Sequence, residues 1–490
     1  MKFRSPEGVM TDAWHLNHND RIHYFHLKTT DDQSELLPSV GHCYTDDLLH
    51  FTVCDDILPQ LPKEEYPEDC LQKYTGCAIT SKDGTHYIYY TMRNENEAQK
   101  IGVALTKDLE NFTLCQKNPV LVPDSEIFYY GDGSGYEDCR DMLVVEDEKT
   151  GVYYGYFAAM VKEGERKFGA IGVAKSCDLI NWGEQTIAFK CDFDGAVEVP
   201  DVFCIDGKWY LTMLTHSCFG SRYIFSDKNV LSGTLYAVAD SPEGPFFLGE
   251  DNVFIGGTHE SGYTCRSFDY KGEKYLSYID KSQYGWSISL PKTIKVVENN
   301  LRPCYTAILE KLRKRIIVSD LSQAKLEKQP STCFWHLGSG EVLAENDKVM
   351  LKCRENSFQT YMIEKSENQG AEIVFDITLY DSEGGAVIET TDANGKKMRY
   401  FAVASVTDKS FSVYKGATNF SPFCKRYYNF ESATANNIRI FAFDGIIEVY
   451  VNDLLLIQNT FESGEEIKVG LYSGLGNCVL ENFSVYELDL

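Results

Sequence analysis

A turn followed at once by an aromatic, strand-like run recurs along the first part of this chain. The copies are Asn19-Asp20-Arg21-Ile22-His23-Tyr24-Phe25, Asp83-Gly84-Thr85-His86-Tyr87-Ile88-Tyr89-Tyr90, Thr150-Gly151-Val152-Tyr153-Tyr154, Asp206-Gly207-Lys208-Trp209-Tyr210-Leu211 and Lys271-Gly272-Glu273-Lys274-Tyr275-Leu276. They lie roughly 55 to 70 residues apart, a period that points to a propeller or a similar array. Asp-Gly or Lys-Gly ahead of β-branched and aromatic residues is a hairpin signal, because the central turn residues must take positive φ. A second marker closes each unit: Asp47-Leu48-Leu49-His50-Phe51, Asp108-Leu109-Glu110-Asn111-Phe112 and Asp178-Leu179-Ile180-Asn181-Trp182, with Ser241-Pro242-Glu243-Gly244-Pro245-Phe246 in the same place of the fourth. Each follows a small-residue strand such as Ile101-Gly102-Val103-Ala104-Leu105. The pattern predicts an all-β fold, a five-bladed β-propeller over residues 1–296, since radial repetition of small sheets is one all-β solution.

The repeat stops near Lys295. The basic stretch that follows, with Leu309-Glu310-Lys311-Leu312-Arg313-Lys314-Arg315, reads as a linker over residues 297–328. Residues 329–490 alternate again without the earlier markers. Ala371-Glu372-Ile373-Val374-Phe375-Asp376-Ile377, Ser410-Phe411-Ser412-Val413-Tyr414 and Ile446-Ile447-Glu448-Val449-Tyr450-Val451 read as strands, with turns at Asp444-Gly445 and Asn452-Asp453. This C-terminal part is expected to be an accessory β-sandwich. A length of 490 residues suits two domains.

The net charge of −26 argues against nucleic acid or an anionic membrane as a partner, and a neutral substrate would be indifferent to it. No apolar run approaches the roughly 18 to 20 residues of a membrane span. The N-terminus, Met1-Lys2-Phe3-Arg4-Ser5-Pro6, lacks the apolar stretch of a secretory leader. The sixteen cysteines are scattered singly, several in strand-like runs, the pattern of buried free thiols. A cytoplasmic location is the expectation.

Three short acidic motifs stand out: Met10-Thr11-Asp12-Ala13-Trp14, Cys139-Arg140-Asp141 and Val197-Glu198-Val199-Pro200-Asp201. Each precedes the turn and aromatic strand of its unit, so a ring of units would bring the three acids to one axis. Carboxylates converging in a pocket are what glycosidic bond cleavage needs. The plain alternatives are a turn-capping Asp at 12, an exposed strand-end Glu at 198 and a surface Arg-Asp pair at 140 and 141. His15, His18, His23 and His26 form two H-x-x-H pairs, but residues three apart on a strand point to opposite faces and nothing completes a metal set. No phosphate loop or dinucleotide fingerprint is present, and no cofactor or metal is expected.

With these motifs in order, the chain resembles glycoside hydrolase family 32, the invertase and fructanase family. Met10-Thr11-Asp12 is similar to the family's Met-Asn-Asp-Pro-Asn-Gly. Val40-Gly41-His42-Cys43-Tyr44-Thr45-Asp46-Asp47-Leu48 resembles its Trp-Gly-His-Ala-x-Ser-x-Asp-Leu, and Tyr74-Thr75-Gly76-Cys77-Ala78 its aromatic-Ser/Thr-Gly-Ser-Ala. Arg140-Asp141 matches the start of Arg-Asp-Pro, and Glu198-Val199-Pro200-Asp201 matches Glu-Cys-Pro-Asp. Ser287-Ile288-Ser289-Leu290-Pro291-Lys292 resembles the segment that ends the family's propeller, and Phe443-Asp444-Gly445-Ile446-Ile447-Glu448-Val449 a marker of its C-terminal sandwich. Departures cluster where the family binds its sugar. Ala13 and Trp14 follow the first acid, giving an Asp12-Ala13-Trp14 closer to the Asp-Ser-Trp of family 68, the levansucrases. Met142 stands for Pro, Val40 for Trp and Leu27 for Gln. The acids are kept while the sugar pocket is partly rebuilt.

The resemblance implies Asp12 as nucleophile, Glu198 as general acid and then base, and Asp141 as stabiliser of the oxocarbenium-like state, with Arg140 orienting it. The implied activity is a retaining β-fructofuranosidase cleaving short fructosyl oligosaccharides by double displacement. Transfer to a sugar acceptor, another furanoside, and a non-catalytic sugar-binding protein are the competing readings. A homo-oligomer is possible, because the accessory sandwich often packs near a neighbour's pocket in the family. Substrate-binding candidates are Trp14, His15, Tyr74, Thr75, Arg140, Asp201, Arg266 and Trp286. Trp14, Tyr74, Tyr263 and Trp286 are taken as candidate sugar-stacking rings, Trp209 as packing between blades, and Arg266 as the fifth unit's analogue of Asp141.

Overall fold

The computed structural model describes all residues except 1–2, 97, 131–138, 195, 216–231, 258–261, 283–284, 330–339, 346–347, 354–357, 393, 417–423, 465 and 490. Those described form an all-β molecule in which helix is confined to short 3-10 segments such as Ala307–Leu312. No described helix is long and apolar enough to cross a membrane.

Four separate four-stranded antiparallel sheets follow one another along the chain, each a simple meander. The first is Val9–His18, Arg21–Thr29, Gly41–Thr45 and Phe51–Val53. The second leads with Tyr74–Thr80, the third with Cys139–Asp147 and the fourth with Glu198–Ile205. A fifth meander, Tyr263–Tyr270, Glu273–Ser282, Lys292–Val297 and Asn300–Cys304, repeats the order but continues into a larger C-terminal sheet. The leading strands pack side by side in sequence order, and the fifth packs back on the first. The arrangement is propeller-like.

The local chemistry read from the sequence sets these sheets. Both central residues of the hairpin turns take positive φ at Asn19 and Asp20 (53° and 60°), Asp206 and Gly207 (51° and 80°), and Lys271 and Gly272 (50° and 83°). That twist matches flanking right-twisted strands. The closing turns share one design. Asp47 Oδ1 accepts from the backbone N–H groups of Leu49 and His50 (2.9 and 2.8 Å), as Asp108 does from Glu110 and Asn111, and Asp178 from Ile180 and Asn181. The hydroxyls of Thr45, Thr106 and Ser176 accept from Leu48, Leu109 and Leu179. Each of those leucines sits at positive φ (67°, 59° and 65°), which disfavours a side chain. Burying them between sheets offsets the strain.

Tyrosine hydroxyls then tie one unit to the closing turn of the next. Tyr89 donates to the Leu179 carbonyl, Tyr156 to the Pro242 carbonyl, and Tyr270 of the fifth meander to the Asp46 carbonyl of the first.

Residues 297–328 are not a linker. Asn300–Cys304 is the outer strand of the fifth meander, and Arg313–Val318 pairs with the final strand, Asn477–Leu488. The basic run reads as solvated in sequence because its acids are distant in the chain: Arg313 binds Glu372 and Arg315 binds Glu487. The C-terminal part packs the continuation of the fifth meander's sheet against a seven-stranded sheet. Their shared core includes Ile373, Phe375, Ile388, Ala402, Ile440, Val449, Leu471 and Val485, all fully buried. The turns predicted at Asp444-Gly445 and Asn452-Asp453 have positive φ at both residues. Every described cysteine is a free thiol.

Candidate active site

One irregularity is repeated in all five leading strands. Between Met10 and Ala13, Tyr74 and Cys77, Arg140 and Leu143, Glu198 and Asp201, and Tyr263 and Arg266, the strand advances three residues while its neighbour advances two. Each is a one-residue β-bulge, which bends a strand and re-aims its side chains. Asp141, Val199 and Thr264 hold the second position of their bulges at φ of 60°, 48° and 50°. For the β-branched Val199 and Thr264 that conformation costs about 1–3 kcal/mol and is characteristic of functional sites. Gly76 has no room for a side chain, since a Cβ would lie 1.9 Å from the Tyr89 carbonyl oxygen.

The bulges bring the three acids together, though not at one register position. Glu198 is first in its bulge, Asp141 second and Asp12 third. The equivalence of the three motifs therefore holds for the units and not for the residues. Likewise Arg266 is fourth in its bulge, level with Asp201 and not with Asp141.

Asp12 Oδ2 accepts the hydroxyl of the buried Thr75. Burial holds Asp12 above the usual carboxylate range, the Thr75 bond opposes this, and the charge of Glu198 adds to it. Asp141 is pushed up to about 7, first by burial and then, against the pull of Arg140, by Glu198 and Asp12. Its Oδ2 accepts from the Val199 N–H at 3.0 Å, and its own N–H donates to Thr91 Oγ1 at 3.1 Å. Arg140 spans two of the acids: Nη2 binds Glu198, and Nε lies 3.6 Å from Asp141 Oδ2. The side-chain oxygen of Gln99 receives Arg140 Nη1 and the Cys139 N–H.

Of the remaining candidates, Tyr74 stands half-buried at the same bulge position as Glu198, with the Arg93 guanidinium 4.0 Å above its ring. Tyr263 feels the charges of Asp12, Glu198 and Asp141 and so belongs to the site. Trp286 lies behind it, ring centroids 5.6 Å apart, 7% exposed, its indole N–H on Gln33. Trp14 is a correction. It is 1% exposed, packed with Phe25, Ile88 and Tyr90 between the first two sheets, and offers no face to a sugar. The bulge at Asp12 turns the acid to the axis and the ring two residues later into the core. Asp201 is buried, and its carboxylate accepts the Ser267 N–H at 2.8 Å, a fourth-to-fifth-sheet contact. His15 bonds Ser277 Oγ at 2.8 Å and packs between Tyr24 and Phe268. Burial and the Arg266 charge push it down to about 3, so it is neutral at ordinary pH. Arg266 is buried beneath the acids, its guanidinium on backbone carbonyls.

Among the described residues no group of three or more His, Cys, Asp or Glu side chains is arranged to hold a metal ion. His23 and His42 instead bond each other at 2.9 Å, and His18 packs edge-on against His86. Sequence reasoning missed Thr91 and Gln99, which contribute through strand pairing and carry no local signal.

Residues 3–298 match the model of the glycosyl hydrolases family 32 N-terminal domain. The chain belongs to this family. Family 32 membership is accompanied by likeness to solved structures at low identity, which speaks for the fold. A family 32 β-fructofuranosidase of Bombyx mori superimposes with a TM-score of 0.70 at 14% identity, covering 99% of this chain and 93% of that one. A sucrose-6-phosphate hydrolase from Lactobacillus gasseri gives 0.69 at 12%, covering 100% and 92%. Fructan 1-exohydrolase IIa from Cichorium intybus gives 0.67 at 13%, covering 100% and 96%. A protein of Bacteroides ovatus named xylosidase/arabinosidase is 25% identical over 216 residues, 42% of this chain and 63% of its own length.

Proposed function

We propose that this protein is a retaining glycoside hydrolase of the β-fructofuranosidase type, acting on short fructosyl oligosaccharides, and that its five meanders form a closed five-bladed propeller followed by a β-sandwich. The observation that carries the reading is the convergence of Asp12, Asp141 and Glu198 from three separate bulges into one charge-coupled group. The ring reading is supported by the Tyr270 bond from the fifth meander to the first.

In the first step Asp12 attacks the anomeric carbon while Glu198 gives its proton to the leaving oxygen. In the second Glu198 takes a proton from water, which displaces Asp12. Asp12 must be ionised to attack, and the Thr75 hydroxyl supplies the bond that favours this form. Asp141, held by the Val199 N–H, places negative charge where the oxocarbenium-like state develops once it is ionised, which a value of about 7 confines to neutral pH and above. Because the acids are coupled, ionisation of one raises the pKa of the others. Retention calls for carboxyl groups of Asp12 and Glu198 about 5 to 5.5 Å apart.

A second reading keeps the chemistry and changes the sugar. The name of the Bacteroides ovatus relative, xylosidase/arabinosidase, favours a pentoside, and we take an arabinofuranoside as the form that a furanoside pocket would accept. NMR product analysis on sucrose, kestose, inulin, levan and aryl furanosides, with Asp12→Asn as control, separates the two. Fructose released first as the β anomer, and lost in the variant, supports the first reading. Turnover of an aryl arabinofuranoside alone supports the second, and fructosylated oligomers indicate transfer. No turnover of any of these sinks both.

A further inference from the structure

The fifth leading strand carries no acid, yet it supplies the side chain that joins the others. Arg266 is 2% exposed. Its Nη1 donates to the Pro200 carbonyl, and Nη2 to the carbonyls of Gly76 (3.3 Å) and Asp141 (3.2 Å). These are one carbonyl from each bulge of the fourth, second and third sheets. We propose that Arg266 is a positioning residue for the reaction, locking those three bulges into one arrangement so that the acids face a common point. The proposal rests on the roles given above to Asp12, Asp141 and Glu198.

Each carbonyl borders a group the chemistry uses. Gly76 follows Thr75, whose hydroxyl holds Asp12. Asp141 is itself one of the acids. Pro200 follows Val199, whose N–H holds Asp141, and lies two residues from Glu198. The left-handed backbone at Asp141 and Val199 is the kind of conformation that persists only when its surroundings over-determine it. A planar guanidinium holds several carbonyls in a fixed fork, whereas a lysine ammonium offers three rotatable donors on a flexible stem and presets no such geometry.

The charge acts in the same sense. The groups that feel it include Asp12, Asp201, His15, Cys77 and Cys265, from the first, fourth, first, second and fifth leading strands. It favours the ionised form of Asp12 against burial and the neighbouring Glu198. Arg140, across the acids, pairs with Glu198 and Asp141 and does not replace this contact.

The test compares Arg266→Lys and Arg266→Met with wild type for kcat, KM and pH profile on whichever furanoside is turned over, beside thermal melts. The expectation for Arg266→Met is a kcat loss of about 100-fold, the scale of a misplaced catalytic group. KM should stay within roughly threefold, and the acid limb of kcat/KM should move to higher pH. Arg266→Lys should keep the limb in place but recover only part of kcat. A merely structural role would lower the melting temperature without moving the limb. Wild-type kcat and limb in either folded variant would overturn the proposal. If Arg266→Met fails to fold, the kcat loss at unchanged KM in Arg266→Lys decides. If wild type turns over no furanoside, the functional reading has failed. Carbon-13 NMR titration of the carboxyl groups, with Asp12 assigned through Asp12→Asn, then judges the positioning directly. An upward shift of Asp12 in Arg266→Met supports it, and an unmoved titration overturns it.

Discussion

At the centre of the N-terminal sheets Asp12, Asp141 and Glu198 crowd one another with Arg140 between them, and burial drives Asp12 and Asp141 towards their neutral forms. In the C-terminal sheets Glu372 and Glu389 are instead surrounded by cations. Glu372, fully buried, is held by Arg313 at 2.6 and 3.1 Å and by Arg439, and Glu389 lies between Lys397 and Arg399. Glu389 and Glu487 sit below the usual carboxylate range, where Asp12 and Asp141 sit above it. These paired C-terminal acids favour their own ionised forms in the fold, whereas Asp12 and Asp141 are charges that the fold tolerates. Local rules broken in one region and kept in the other mark where the chemistry is.

The comparison is easiest to break at Asp12. Asp12→Asn should reduce kcat by on the order of 10⁴-fold or more, as loss of a nucleophile does. Because the folded state disfavours the ionised carboxyl, the same change should leave the melting temperature equal or raised. A large drop in melting temperature would show that Asp12 supports the fold instead. Glu372→Gln should do the reverse. It takes the acid partner from Arg439 and the shorter of the two from Arg313, which keeps Glu310, and should destabilise by about 3–5 kcal/mol in chemical denaturation.

Asp141→Asn tests both halves of the argument at one residue. Asn tolerates the left-handed conformation that Asp141 adopts, so backbone strain is not introduced. The kcat should fall about 10²- to 10³-fold. For stability the sign follows from a folded value near 7 against an unfolded value of about 4. The wild-type carboxyl is most favourable to folding below pH about 4, and that contribution is lost as pH rises through about 7, by up to about 4 kcal/mol. Asp141→Asn should therefore be the more stable protein at pH 8, with the advantage vanishing at pH 4. Melts at the two pH values check this, and a destabilised variant at pH 8 would erase the contrast with Glu372.

The difference between the regions also governs what could be read in the sequence. Turn chemistry is local, so Asn19-Asp20, Asp206-Gly207 and the Asp47-Leu48 type of closing turn were legible residue by residue. The three acids were legible as motifs. The bulges were not, because an extra residue in a strand is defined only against its partner, and a bulge shifts which face the following side chains occupy. That is why Trp14, two residues from Asp12, reads as a sugar platform and lies in the core, and why Arg266 reads as an analogue of Asp141 and lies two positions further on. The basic run at Arg313–Arg315 reads as a linker for a related reason: its partners Glu372 and Glu487 are brought to it only by the C-terminal sheets.

The smallest expected effect is also the most specific. Thr75 is 1% exposed, and its hydroxyl donates to Asp12. Thr75→Val keeps the shape and removes the bond, which works against burial to keep Asp12 ionised. Hydrogen bonds to charged groups contribute about 1.5–3 kcal/mol, so kcat/KM below neutral pH should fall by about 10- to 100-fold. The loss should shrink as pH rises, because a nucleophile with a raised pKa still ionises in base. The acid limb of the pH profile moves upward while its basic limb stays in place. A limb that does not move would assign the acid-side titration to Asp141 rather than Asp12, since Asp141 is held by Val199 and Thr91 and makes no bond to the Thr75 hydroxyl. The N-terminal acids would then divide into one that titrates in the working range and one that does not, and the contrast with the C-terminal pairs would narrow to a single carboxyl.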